Sequence, residues 1–361
     1  MAVDVPVIDL ACEARRGLLD LSRDELATWL KDRGQPAMRA RQLRRWLLAE
    51  GADSFEQMTD LPKALRRELA DAFVPLELRV ARHLQAADGT HKLLFRLRDG
   101  QLIECVLIQE DTRRTACIST QVGCGMGCVF CASGLNGVER NLSAGEIIEQ
   151  LLRMRALPAL DGTTDKRLTN IVVMGMGEPL ANLDALLEAL QAAMDKDGMG
   201  IGARHITIST VGLPAKMRRL ADLGKQYHLA VSLHAPDDEL RTRIVPTNDK
   251  TGIPAILEAA DYFFEKTGRQ VTFEYVLLGG MNDSAADAEK LAGLLRGRHA
   301  HVNLIPFNDV SGLPYRGPSP EALASFQAII RQRGVSVKVR KRKGSGIDAA
   351  CGQLRRKVGI Q

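Results

Sequence analysis

Long apolar runs are missing from this chain. No stretch approaches the roughly 18 uninterrupted apolar residues that argue for a membrane helix. Asp4, Asp9, Glu13, Arg15 and Arg16 fall where a secretion signal would need an unbroken apolar core. The reading is therefore a cytoplasmic protein with no membrane partner. Disulfide architecture is excluded as well, because seven cysteines in 361 residues are too few and too unevenly placed for a secreted framework. A strong charge of either sign is also absent. A net charge of +5 permits a polyanionic partner without demanding one.

What is present is the composition of a folded globular protein, 45% hydrophobic and 26% charged, long enough for one large domain or two moderate ones. The uneven cysteines carry the chemistry. Cys117, Cys124, Cys128 and Cys131 crowd one region, Cys351 stands alone near the C-terminus, and Cys12 and Cys105 read as small hydrophobes or incidental thiols. Cys124-Gly125-Met126-Gly127-Cys128-Val129-Phe130-Cys131 is too glycine-rich for a helix or strand. Its three thiolates suit a soft metal centre but fall one short of the four ligands of a closed structural site. A four-iron cluster held this way keeps one iron open for chemistry.

Periodicity divides the chain into four parts. Residues 1–75 read as a small helical accessory domain: Ser22 and Glu25 form a capping-box signature ahead of Leu26, Trp29 and Leu30, with further helices over 37–50 and 62–73. Its basic residues, among them Arg39, Arg41, Arg44, Arg45, Lys63, Arg66 and Arg67, suit either a solvated face or contact with RNA. Residues 76–110 form a β-hairpin extension with strands over 92–97 and 102–108 around Asp99-Gly100. Glu104 lies within the second strand, where alternation alone favours exposure over a place in a site. Residues 111–343 alternate strand and helix, which predicts an α/β core with a parallel sheet closed fully or partly into a barrel. Residues 344–361 form a tail that carries Cys351 beyond Gly344-Ser345-Gly346.

In such barrels the loops at the C-terminal strand ends build the active site. Four of them carry polar or glycine-rich signals: Gly175-Met176-Gly177-Glu178-Pro179, Ser209-Thr210-Val211-Gly212, Ser232-Leu233-His234 and Ile305-Pro306-Phe307-Asn308. Singly, Gly177 reads as a turn former, Ser209 as a helix cap and His234 as a structural histidine. Together on the rim of the cysteine loop they favour a small-molecule pocket.

The cysteine spacing, with an aromatic before the third cysteine and a Gly177-Glu178-Pro179 strand end, resembles the radical S-adenosylmethionine (radical SAM) superfamily. Gln121-Val122-Gly123-Cys124, the segment from Val173 to Leu180, Ser232-Leu233-His234-Ala235-Pro236 and the segment from Ile347 to Leu354 narrow the resemblance to the RNA adenine methyltransferases of the RlmN and Cfr group. It spans residues 21–354 and implies a partial (β/α)6 barrel. It further implies that Cys124, Cys128 and Cys131 ligate a [4Fe-4S] cluster. Gly177, Glu178, Ser209, Ser232, Leu233, His234 and Asn308 would contact S-adenosylmethionine. Cys351 would become methylated, Cys117 would pair with it in a transient disulfide, and Glu104 would take a proton from the adenine.

The chemistry the resemblance implies uses two S-adenosylmethionine molecules. Cys351 takes a methyl from one, and a 5′-deoxyadenosyl radical from the other activates that methyl for addition to the adenine. Glu104 as base and a Cys117–Cys351 disulfide would then release the product. The expected product is 2-methyladenosine in 23S rRNA, and in the tRNA anticodon loop as well, made by a monomer served by a one-electron reductant such as flavodoxin. The alternative within the group is methylation at C8 of the same ribosomal adenine. A different class of reading is a non-enzymatic redox or nucleic-acid-binding protein, with Cys117, Cys124, Cys128 and Cys131 around one metal. That reading leaves Glu178 and Cys351 without a purpose.

Overall fold

The computed structural model describes residues 15–110, 112–159, 167–308, 310, 312–341 and 343–354. Cys12 and Arg342 lie outside the described residues.

The N-terminal segment folds into α1 (Arg23–Lys31), α2 (Met38–Arg45), extended by a π-turn over Trp46–Glu50, and α3 (Lys63–Ala72). The capping box anticipated at Ser22 is present: its hydroxyl accepts from Glu25 N at 3.1 Å, and the Glu25 carboxylate accepts from Ser22 N at 2.8 Å. Leu26, Leu30, Leu43, Leu65 and Leu69 face inward at helical spacing, each worth about 1.5–3 kcal/mol when fully buried. Two short strands, β1 (Arg16–Gly17) and β2 (Phe73–Val74), pair in parallel and tie the ends of this segment together.

A ten-stranded sheet organises the rest. It begins with the antiparallel strands β3 (Arg79–Gln85), β4 (His91–Arg96), β5 (Leu102–Glu110) and β6 (Arg113–Cys117). From β6 it continues in parallel through β9 (Asn170–Val173), β10 (Ile206–Thr210), β11 (His228–Ser232), β12 (Val271–Leu277), β13 (Ala300–Pro306) and β14 (Ser336–Val339). The short strands β7 (Gln121–Gly123) and β8 (Val138–Asn141) form a separate ribbon around the cysteine loop. Between the parallel strands run α4 (Ala144–Arg155), α5 (Leu183–Met194), α6 (Pro214–Asp222), α7 (Asp238–Ile244), α8 (Ile253–Thr267), α9 (Ala285–Leu295) and α10 (Pro320–Gln332). Six βα units and a seventh strand make a partial barrel: β3 and β14 are the two ends of the sheet and do not pair with each other.

Side chains alternate along a strand, and residues paired across strands share a face. The register therefore sorts this sheet into two surfaces. One, with Ile171, Ile208, Leu229, Val231, Phe273, Tyr275, Val302 and Leu304, is buried beneath the helices. The other lines the concave interior and is polar, carrying Ser209, Ser232, Glu274 and Asn303. Cys117 of β6 pairs with Val106, which pairs in turn with Lys92 two positions from the level of Glu104. Lys92, Glu104 and Cys117 thus share that interior face. Two strands of the ten-stranded sheet fall outside the elements expected from sequence. β3 is rich in polar side chains, and β6, reading Arg113-Arg114-Thr115-Ala116-Cys117, lacks an apolar alternation.

Candidate active site

The cysteine loop is shaped by backbone geometry. Gly123 adopts φ +80°, and a side chain there would collide with the Gly137 carbonyl, whose oxygen also accepts from Cys124 N at 2.9 Å. Cys131 N donates to the Cys128 carbonyl at 3.1 Å, which folds the second half of the loop on itself. Val129 N is held by the Ile244 carbonyl of α7 at 3.1 Å. Burial raises all three thiols, Cys124 to about 12 and Cys128 and Cys131 also upward, with mutual repulsion adding to each of the first two. Among the described residues no three His, Cys, Asp or Glu side chains form a cage for a single ion.

Beside this loop the rim residues are fixed by hydrogen bonds. Glu178, 2% exposed, accepts from Leu180 N at 2.9 Å and Val211 N at 2.8 Å, yet burial still pushes its carboxyl up to about 6. Among the described residues no ion pair reaches this carboxylate, and an ammonium group would supply one. Gly177 sits at φ +102°, and a Cβ would come within 2.7 Å of Gln121, so the loop approaches β7 this closely only with glycine. Ser209 and Ser232 are half-buried on the interior face. Leu233 is fully buried and points its side chain to the helical layer, which leaves only its backbone to the site.

His234 is strained and locked. Its φ is +61°, its Nδ1 accepts from Val276 N at 3.0 Å, and its ring packs edge-on against Phe130 at 4.7 Å between centroids. Burial lowers it to about 3, with Arg241 contributing, so the ring is neutral with its proton on Nε2. Arg241 was not singled out from sequence. Its buried guanidinium donates to the carbonyls of Leu233 and Ser232, each at 3.0 Å, and to Val211, stitching the ends of β10 and β11 beside Cys128. Only its place on a short helix capped by Asp237 marked it.

Glu104 overturns the exposure expected from strand alternation. It is 5% exposed, because the face that would be solvated in an isolated hairpin is here the barrel interior. Lys92 Nζ lies 3.2 Å from its Oε1. Cys117 and Cys351 are both free thiols, more than two hundred residues apart in sequence and within electrostatic reach of each other. Burial, with Cys351 adding to it, raises Cys117 to about 12. Arg340 lies within electrostatic reach of both, and the charges of Cys351, Glu274 and Cys117 raise its own value. In sequence Arg340 belongs to the basic run Lys338, Arg340, Lys341, Arg342 and Lys343, which suits either RNA phosphates or an exposed strand end, whereas the structure turns Arg340 inward.

The tail crosses the mouth of the barrel as a strap. Ala132 N donates to the Gly352 carbonyl at 2.8 Å and Ser133 Oγ to the Leu354 carbonyl at 3.0 Å, which fasten it to the end of the cysteine loop. Asn308 Nδ2 holds the Cys351 carbonyl at 3.2 Å. A cavity of about 280 Å³ opens there, lined by Ile108, Ile305, Asn308, Arg340, Lys341 and Cys351 among others.

Comparison with known proteins places this arrangement. Residues 118–292 match the radical SAM superfamily model, and residues 17–74 match that of the ribosomal RNA large subunit methyltransferase N-terminal domain. A protein of Rhodopirellula baltica named "Probable dual-specificity RNA methyltransferase RlmN" is 55% identical over 95% of this chain and 91% of its own. One of the same name from Geobacillus thermodenitrificans is 46% identical over 94% and 93%. The crystal structure of a radical SAM methyltransferase from Sphaerobacter thermophilus superposes with a TM-score of 0.89 at 46% identity, covering 95% of this chain and all of that one. The cofactors are a [4Fe-4S] cluster and S-adenosylmethionine, and the residues present fit both. Three half-buried thiols stay protonated until a metal centre supplies positive charge, and the Glu178 carboxylate suits a cation. The chain belongs to the RlmN family of radical SAM methyltransferases.

Proposed function

We propose that this enzyme methylates C2 of an adenosine in 23S rRNA and of an adenosine in the tRNA anticodon loop, with Cys351 carrying the methyl group. The observation that supports this most is the strap: it sets Cys351 on the cavity beside Cys117 and Arg340 while its far end is bonded to the cysteine loop. In this reading Cys124, Cys128 and Cys131 hold the cluster. Gly177, Glu178, Ser209, Ser232, Leu233, His234 and Asn308 hold S-adenosylmethionine, with Glu178 taking the amino group. When bound, these cofactors supply a methyl group and a radical able to abstract hydrogen.

The chain's own residues do the rest. Arg340 provides positive charge beside the Cys351 sulfur as it accepts the methyl. Glu104, held on the interior face, accepts the C2 proton of an adenine that has left its stack. Cys117 then bonds to the Cys351 sulfur, freeing the methylated base, and a reductant returns both thiols. A one-electron donor such as flavodoxin serves the cluster, and the enzyme works as a cytoplasmic monomer. No helix among the described residues is long and apolar enough to cross a membrane.

Anaerobic reaction with ribosomal and transfer RNA, followed by nucleoside mass spectrometry, tests the proposal. It predicts 2-methyladenosine from both RNAs, and none from Cys351→Ala with its iron retained. 8-Methyladenosine in place of 2-methyladenosine would overturn the regiochemistry, and methylation by Cys351→Ala would overturn the carrier.

A further inference from the structure

Lys92 has a place in this site that neither composition nor motif marked. It sits on β4, 8% exposed, at a position where an apolar side chain would fill the sheet without desolvating a charge. Its ammonium makes two contacts of different kinds. One is the ion pair with Glu104 Oε1 at 3.2 Å. The other is a hydrogen bond to the main-chain carbonyl of Asp348 at 3.2 Å, three residues before Cys351.

The turn so held is an unusual one. Asp348 adopts φ +49°, a left-handed conformation that a side chain disfavours, so it persists only where its surroundings fix it. The same β-hairpin contributes a second anchor, because Asp88 Oδ2 accepts from Gly344 N at 3.1 Å. Ala349 N closes the turn onto the Gly344 carbonyl at 3.0 Å. From there the chain runs to Cys351, whose carbonyl is held by Asn308. A single ammonium thus connects the carboxylate on β5 to the segment that delivers the sulfur.

We propose that Lys92 is a positioning residue that keeps the Glu104 carboxylate and the turn before Cys351 in one fixed relation, so that the base and the methyl-bearing sulfur reach the same adenine together. The inference rests on the reading of Glu104 as proton acceptor and Cys351 as methyl carrier. Lys92 exchanges no proton and touches no substrate. Its role is to remove the freedom of two groups that must act on one carbon, where a misplacement of about 1 Å costs on the order of a hundredfold in rate.

The test compares Lys92→Gln, Lys92→Arg and Glu104→Gln with the wild-type holoenzyme, each checked for iron content and melting temperature. Amide hydrogen exchange over residues 344–351 is measured without RNA. Cys351 methylation, covalent Cys351–RNA adduct and released methylated RNA are then followed by mass spectrometry. In Lys92→Gln, exchange in the tail should accelerate about tenfold or more, the range set by losing a hydrogen bond to a charged group. Cys351 should still be methylated, while released product falls by about tenfold to a hundredfold and the adduct accumulates. Lys92→Arg should restore most of both. Unchanged tail exchange and unchanged release in Lys92→Gln would overturn the inference, as would a Lys92→Arg protein of normal iron content and stability that is equally impaired. If Glu104→Gln releases product at the wild-type rate, the reading of Glu104 has failed, and the tail exchange still decides whether Lys92 holds the strap.

Discussion

Cys117 holds its proton at neutral pH, since burial raises it to about 12. In the proposed mechanism Cys117 attacks the Cys351 sulfur, a step that needs the thiolate, and the thiolate fraction grows about tenfold per pH unit below that value. Collapse of the covalent RNA adduct, followed by rapid quench, should therefore speed up about tenfold per unit between about pH 7 and 9. A flat profile would show that another group limits the step. Other residues were legible in sequence to different degrees. Cys124, Cys128 and Cys131 announced themselves by spacing, and Glu178 by its place in a glycine-flanked strand end. Arg241, Arg340 and Lys92 did not, because a buried cation looks like any surface cation until the fold shows what surrounds it.

The elements followed from the chain where its period was clean. The sequence predicts a strand over 271–277 and helices over 238–244 and 285–295, and β12, α7 and α9 occupy those residues, because apolar side chains recur there at the spacing of one buried face. β6 escaped notice because its pairing partners on both sides, not its own residues, make it a strand. α4 shows what an element adds to a site. Its capping box at Ser143 and Glu146 starts the helix straight after the cysteine ribbon, and Glu149 from its buried side accepts from Glu77 N at 2.7 Å and Leu78 N at 2.8 Å. Those amides lead into β3, so α4 links the hairpin strands to the cysteine loop.

Burial raises Glu149 from its ordinary 4.5 to about 7. A carboxyl shifted upward on folding binds its proton more tightly in the native state, so its contribution to stability is complete below pH 4.5 and is lost as pH rises through about 7. Glu149→Gln removes this dependence. Denaturant midpoints of variant and wild type, measured from pH 4.5 to 8, should show the variant gaining relative to wild type as pH rises. A constant difference across that range would contradict the shift.

At the scale of the whole molecule, three parts meet at one cavity. The partial barrel supplies a polar interior under an apolar, helix-covered sheet, the antiparallel strands supply Glu104 and Lys92, and the tail brings Cys351 back over the opening. Ion pairs of Arg23 with Asp195 and Arg41 with Asp197, at 2.8 and 2.7 Å, reach from the N-terminal helices to the barrel. Part of the basic charge that sequence offered to RNA is therefore matched within the protein. Alternation of strand and helix made the barrel legible, but the return of the tail was not, because no local pattern records a contact across more than two hundred residues.

The central claim is that the methyl carbon passes through Cys351 to adenine C2. Its most direct measurement uses enzyme whose Cys351 has been loaded with a trideuterated methyl group, reacted with unlabelled S-adenosylmethionine and RNA in a single turnover. Loss of one deuterium to the radical and gain of one proton from solvent predict 2-methyladenosine that retains two deuteriums. 2-Methyladenosine without deuterium, or with all three, would contradict the account.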